Sequence, residues 1–235
     1  AVVPGVAYSH LAGVELLLTD SPAKAAQIAE KLDGHNRARI TEESEIFKEA
    51  DKMLRDSDIL QKDRAIVLFH ENWNVGIIGI VASRLIERHY MPAILITQSL
   101  KPEECAAVDP EKGRICQGSV RSIHEVNIYE ALTKCQDTLI SFGGHQMAAG
   151  LKIYENDIPA LRGRLNELIS GDFKERRFRP SVTIDDNLDL DDIDMELLNH
   201  CHIMEPCGAN NARPVFMASG VTLLELNPCG ADGKH

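Results

Sequence analysis

The chain has 235 residues, of which 44% are hydrophobic and 5% aromatic, and its formal net charge is −11. This length and apolar content suit one or two globular domains with real cores, and no apolar run reaches the roughly 20 residues of a membrane-spanning helix. The few aromatic residues argue against a single-strand binder that stacks bases on a row of rings.

The negative charge is concentrated towards the end of the chain. Residues 181–235 carry ten acidic and two basic side chains, a balance of −8, which leaves only −3 for residues 1–180. Salt confines electrostatic fields to about 8–10 Å, so a nearly neutral body can still present a local positive patch. The charge therefore neither supports nor excludes a nucleic-acid partner.

The cysteines and the first residues indicate a compartment. No CxxC pair occurs, and in a chain of this length scattered cysteines indicate reduced thiols rather than a disulfide framework. Residues 1–10 show no signal-peptide pattern. We therefore expect a cytoplasmic protein with no membrane partner. The six cysteines are Cys105, Cys116, Cys135, Cys201, Cys207 and Cys229.

Two helices are predicted in the first 61 residues. Ser21-Pro22 is a capping serine followed by proline at the first helical position, and it opens a helix that reaches about Leu32. Gly34 and Asn36 are predicted to interrupt this helix. A second, highly charged helix over residues 41–55 has only a narrow apolar stripe, which is typical of a connector that lies along a surface.

The next hundred residues are typical of an α/β domain. The continuous apolar runs Ala65–Phe69 and Ala93–Thr97 predict strands that are buried on both faces. Residues 75–89 predict a helix between them, and this order indicates a βαβ unit with parallel strands. A third strand is predicted to end in Gly118–Ser122, and Asn127 with Glu130 resembles a capping box at the start of a further helix.

The remaining elements complete the predicted sheet and lead into a tail. The segment Phe142–Gly150 is expected to form a tight turn that leads into a strand over Leu151–Tyr154, which a last helix follows. Residues 174–180 are interpreted as a linker. Beyond them we expect a short strand at residues 182–184, a helical turn at residues 195–200, and a hairpin arm or long strand at residues 215–226. This last piece is too short to close a barrel.

Three segments have residue types that suit phosphate binding. In the first, Asn72 and Asn74 can cap a helix whose free amides suit an anion, while the small residues Gly76, Gly79 and Ser83 lie on one face of that helix. Close packing of the helix on the sheet is the favoured explanation of those glycines.

In the second segment, alternation along a strand places Ser119 and Arg121 on the same face, next to Ser122. A hydroxyl beside a guanidinium suits phosphate oxygens, although an edge strand with solvated polar residues is the alternative. In the third segment, the Gly143-Gly144 backbone can approach a ligand closely, and His145 can hold a phosphate or move a proton. A purely structural histidine remains the alternative there.

The order of these segments, HENWNVGIIGIVASRL, then GSVRS, then SFGGHQMAAG, resembles the DHH-associated domain of the RecJ family of single-strand-specific exonucleases. We therefore predict a small mixed or parallel sheet flanked by helices over residues 62–172. A helical connector over residues 1–61 precedes this domain, and a linker with a partial OB-like β segment over residues 173–235 follows it. The family's Asp-His-His signature does not occur in the sequence. We accordingly expect a piece of a longer protein without the catalytic half.

The resemblance implies roles for individual residues. Ser119, Arg121 and Ser122 would bind a backbone phosphate, while the Gly143-Gly144-His145 segment would close over the substrate from the same side. No catalytic or metal-binding residue is expected in this chain. In the full-length protein, Mn²⁺ or Mg²⁺ would support phosphodiester hydrolysis.

The same resemblance implies a biological setting and partners. The expected partner is single-stranded DNA, with a single-strand-binding protein as a further candidate for the full-length enzyme. The expected setting is 5′-to-3′ digestion in DNA repair and recombination. Two alternatives stay open: a related oligoribonuclease or cyclic-dinucleotide phosphodiesterase, and a non-catalytic replication scaffold of the same fold.

Overall fold

The computed structural model describes residues 7–99, 108–172, 178–208 and 210–227, and the chain divides into two units, Ala1–Arg179 and Pro180–His235. Most of the expected linker at residues 174–180, together with Cys105 and Cys229, lies outside the described residues. None of the described helices combines the length and the apolar character needed to cross a membrane.

The first unit begins with helices α1 (Ala7–Leu18), α2 (Pro22–Arg55) and α3 (Ile59–Lys62). Ser21 caps α2, as predicted, because its Oγ accepts a hydrogen bond from the Lys24 amide. The predicted break at Gly34 and Asn36 is wrong, since α2 is continuous for 34 residues. One glycine costs a helix only about 1 kcal/mol. Asn36 even supports the helix by accepting hydrogen bonds from Arg39.

A five-stranded sheet follows, in the order β1-β2-β3-β5-β4. Its strands are β1 (Ile66–Phe69), β2 (Ala93–Gln98), β3 (Ile115–Arg121), β4 (Ser141–His145) and β5 (Ala148–Tyr154). Helix α4 (Ile78–His89) connects β1 to β2, which pair in parallel, so the predicted βαβ unit is confirmed. The other three pairings are antiparallel. The sheet is therefore mixed.

Helices cover both faces of the sheet and create two cores. On one face, α2 and α4 pack against Ile66 and Leu68 of β1 and Leu95 of β2. On the other face, α5 (Ile128–Lys134) and α6 (Ile158–Asp172) pack against alternate residues of the strands, such as Val120 and Leu151. Asn127 caps α5 by accepting the Glu130 amide, as the sequence predicts.

The Gly-Gly-His segment is not part of a turn, which corrects the sequence prediction. It lies in edge strand β4, and the turn comes one residue later, at Gln146 and Met147. Two contacts hold that turn against the chain after β3. The Ser122 amide donates to the Met147 carbonyl at 2.9 Å, and the Ile128 amide donates to the Gln146 carbonyl at 3.1 Å.

The second unit has little regular structure among its described residues. Two short parallel strands, β6 (Asp186–Asn187) and β7 (Phe216–Met217), pair with each other, and helix α7 (Met195–Ile203) lies between them in the sequence. The predicted strand at residues 182–184 is wrong, because the extended pairing begins only at Asp186. The predicted long strand at residues 215–226 shrinks to two residues, since no partner strand pairs with residues 218–227.

Candidate nucleic-acid interface

The candidate site lies on one sheet face, where β3 at the edge of the α4 contact adjoins the exposed residues of β5 and β4. Directly paired residues of antiparallel strands point to the same side of a sheet. The register therefore aligns Ser119 with Gly150 and Gly143, and Arg121 with Ala148 and His145. On β2 the same face is buried under α2 and α4, but Gly143, Gly150 and His145 are exposed.

Glycine at two positions of β4 has two different causes. A Cβ on Gly143 would meet no atom within 4 Å, so its missing side chain leaves open space above the strand. Gly144 has a φ of +154°, and a Cβ there would lie 2.3 Å from the Ala148 carbonyl oxygen. Gly144 is therefore required by the hairpin itself, whereas Gly143 keeps the outer face flat.

Arg121 and Ser119 lie side by side, as alternation along the strand predicts. Arg121 Nη1 donates to Ser119 Oγ at 3.2 Å and to the Val120 carbonyl oxygen at 2.9 Å. Both side chains are half-buried. A guanidinium has five N–H donors in one plane, so these two hydrogen bonds from Nη1 leave donors on the other nitrogens of Arg121 to bind a phosphate.

His145 lies two strands away from Arg121 in the same row, which is roughly 10 Å at the usual spacing of strands. Its Nδ1 accepts the Met147 amide at 3.3 Å. In the neutral ring the proton is then on Nε2, which becomes a donor towards an anion. Arg121 and His145 thus border a surface of small residues, Ala148 and Gly150.

Ser122 differs from the other predicted residues. Its side chain is buried, and its Oγ donates to the Val126 carbonyl oxygen at 2.7 Å. The contact from the Ser122 amide to Met147 fastens the β4–β5 hairpin to the end of β3, while the hydroxyl closes the loop from Ser122 to Val126. A phosphate contact by Ser122 stays a prediction, and the internal acceptor favours a supporting role for its hydroxyl.

The start of α4 also differs from the prediction. Ile77 occupies the N-cap position of α4, and no side chain there makes a capping hydrogen bond. Asn74 instead accepts the Gly76 amide and donates to Glu42 of α2, so it joins the connector helix to this turn. Gly79, in the first turn of α4, faces the Arg121 and Ser119 side chains.

Divalent cations bind to oxygen-rich clusters of side chains. In the part of the chain that the structure describes, no three histidine, cysteine, aspartate or glutamate side chains form a group that could hold a metal ion.

Two sequence families match the chain. Residues 62–171 match the DHHA1 domain, and residues 184–235 match the RecJ OB domain. The single-stranded-DNA-specific exonuclease RecJ of Bacillus subtilis is 35% identical over 94% of this chain and 27% of its own length. The RecJ of Thermus thermophilus is 30% identical over 94% of this chain and 29% of its own length.

Solved structures give the same result. The crystal structure of Thermus thermophilus RecJ in complex with Mn²⁺ has a TM-score of 0.70 at 28% identity, covering 88% of this chain and 28% of that one. The complex with Mg²⁺ has a TM-score of 0.69, covering 87% and 29%. The chain spans 26–38% of the length of the curated relatives that it matches.

Proposed function

The chain belongs to the RecJ family, whose DHHA1 and OB regions it carries, and from this membership we propose that it is the nucleic-acid-binding part of a 5′-to-3′ single-stranded-DNA exonuclease. The full protein would hydrolyse phosphodiester bonds in DNA repair and recombination in the cytoplasm. A single-strand-binding protein is proposed as a further partner of the full-length enzyme.

The observation that carries this proposal is the row formed by Arg121, Ala148 and His145. A cation and a ring N–H donor border a flat surface of small residues, with the Ser119 hydroxyl beside the cation. Such a surface lets a sugar–phosphate backbone come close, and it offers charge-assisted hydrogen bonds to phosphate oxygens. Contacts of this kind position a strand without reading its sequence.

Metal-dependent hydrolysis fits the family, because the named Thermus thermophilus structures are complexes of RecJ with Mn²⁺ and Mg²⁺. Such ions activate water and stabilise charge on the phosphate. We propose that the ions are held by the part of the full-length protein that carries the family's Asp-His-His signature, which this sequence lacks. The contribution of residues 108–172 is then to hold the backbone next to the reacting phosphate.

The match of residues 184–235 to the RecJ OB domain bears on the choice of substrate. A related oligoribonuclease or cyclic-dinucleotide phosphodiesterase typically ends after the DHHA1 domain, which contains the Gly-Gly-His segment. An OB segment that follows this domain therefore favours the exonuclease. OB domains commonly bind single strands, which agrees with a long substrate rather than a dinucleotide.

Substitution of Arg121 tests the proposal. Arg121→Ala should weaken binding of a labelled single-stranded oligonucleotide by about 10- to 150-fold, because a hydrogen bond to a charged partner contributes about 1.5–3 kcal/mol. The dependence of log affinity on log salt should become shallower by about 0.7, since one phosphate contact on a single strand is lost. Fluorescence anisotropy at several salt concentrations measures both quantities.

Arg164→Ala is the matched control. Arg164 lies on α6, which packs against the opposite face of the sheet, and it pairs with Asp137 at the surface. Arg164→Ala removes the same unit of positive charge as Arg121→Ala, but it should change the affinity for the oligonucleotide by no more than about twofold. Equal losses for the two variants, or no loss for Arg121→Ala, would contradict the proposed site.

A further inference from the structure

We infer that Gly79 is a positioning residue for the phosphate-binding pair Arg121 and Ser119. This inference rests on the proposed function and deepens it, because it assigns a role in binding to a helix residue that would not touch DNA itself. Gly79 lies in the first turn of α4, and this helix packs against β3.

The geometry around Gly79 is unusually close. A Cβ at this position would lie 2.8 Å from Ser119 Oγ and 2.9 Å from Arg121 Nη2. Carbon does not approach these polar atoms so closely without a clash. The missing side chain of Gly79 therefore provides the space in which the hydroxyl and the guanidinium lie together, 3.2 Å apart.

The atoms that would have to move are the ends of two flexible side chains, and no backbone atom lies among the three nearest contacts. An added methyl group can thus be accommodated when Arg121 and Ser119 turn away, with the sheet unchanged. This differs from Gly118, where a Cβ would meet the core side chains of Leu151 and Ile96. At Gly79 the fold tolerates a side chain, whereas the proposed site does not.

Gly79→Ala separates these two effects in one variant. Alanine is at least as favourable as glycine in a helix, so the melting temperature should stay the same or rise. Affinity for single-stranded DNA should nevertheless fall by about threefold or more, because displaced donors make longer and weaker hydrogen bonds to a phosphate. A binding loss without a stability loss is the expected signature.

The control is Gly163→Ala. Gly163 is exposed in the middle of α6, and a Cβ there would meet nothing within 4 Å. It should raise or maintain the melting temperature in the same way, with affinity unchanged. The Nε–Hε NMR signal of Arg121 should shift in Gly79→Ala and stay in place in Gly163→Ala, which reports on the guanidinium even without DNA.

A double-mutant cycle decides whether Gly79 acts through Arg121. When Arg121 is already alanine, adding Gly79→Ala should have a much smaller effect than it has in the wild type, since coupled residues are not additive. Full additivity would overturn the inference, as would an unshifted Arg121 signal in Gly79→Ala. If Arg121→Ala itself leaves affinity unchanged, the proposed function fails. If only Gly79→Ala does so, the positioning role alone fails.

Discussion

Replacing Gly144 by alanine should destabilise the β4–β5 hairpin, whereas the same change at the neighbouring Gly143 should not. At Gly144 the added Cβ would lie 2.3 Å from the Ala148 carbonyl oxygen and 2.5 Å from the Ala149 Cα. Both are backbone atoms of the paired strand, so no rotation of a side chain can relieve the clash. At Gly143 the same atom would point into open space.

The size of the effect at Gly144 follows from two costs. A backbone conformation that L residues rarely adopt costs about 1–3 kcal/mol, and overpacking typically costs another 1–3 kcal/mol. The expected loss in the free energy of unfolding is therefore about 2–6 kcal/mol. Because β4 is an edge strand, it can also detach locally, and the free energy of that opening sets an upper limit on the loss.

Urea unfolding of both variants measures the difference, and hydrogen exchange at the amides of β4 and β5 locates it. Gly143→Ala should unfold within about 0.5 kcal/mol of the wild type, as surface substitutions usually do. It should still weaken single-strand binding, because its methyl group lies on the open face beside Gly150, in the row that also contains Ser119. If Gly144→Ala is as stable and as protected as Gly143→Ala, the reasoning from the clash is refuted.

Four further outcomes are expected. His145→Ala should weaken single-strand binding in anisotropy less than Arg121→Ala does, because Nδ1 of His145 already accepts the Met147 amide and leaves one ring nitrogen for a phosphate, whereas the Arg121 guanidinium has five N–H donors; a larger loss for His145→Ala would contradict this ranking. Burial, with Arg88 nearby, lowers the pKa of His89 below its ordinary 6.5, against the opposing effect of Asp51. His89 therefore binds a proton more readily in the unfolded chain than in the folded one. The free energy of unfolding measured in urea should fall as the pH drops below about 6.5, and His89→Leu should remove that part of the pH dependence. Residues 215–226 should exchange amide hydrogens faster than Ile66–Phe69, since only two of them pair in a strand, and equal protection would disprove this. The 235-residue chain alone should not degrade labelled single-stranded DNA with Mg²⁺ or Mn²⁺, and degradation that is lost on removing one of its carboxylates would refute that expectation.

The sequence by itself determined the features that depend on neighbouring residues. The apolar runs of β1 and β2 predict strands that are buried on both faces, and the structure confirms this prediction. The caps at Ser21 and Asn127 are local hydrogen bonds, which short patterns predict well. Alternation along β3 also predicted that Ser119 and Arg121 share a face.

The tertiary structure decided what depends on pairing between distant segments. Glycine and histidine in sequence suggest a turn, yet pairing with β5 makes the Gly-Gly-His segment an edge strand. The continuity of α2 past Gly34, by contrast, has local support, because Arg39 donates hydrogen bonds to Asn36 and Glu43 of the same helix and these offset one weak position.

The set of residues that forms the candidate site is the clearest example of a feature that the tertiary structure decides. Arg121 and His145 share a row only because β3 and β4 both pair with Ala148 of β5. Gly79 reaches the same place because α4 packs against β3 there. In the sequence, His145 is 24 positions and Gly79 is 42 positions away from Arg121. Their proximity is set by strand register and helix packing, which no local pattern of residues encodes.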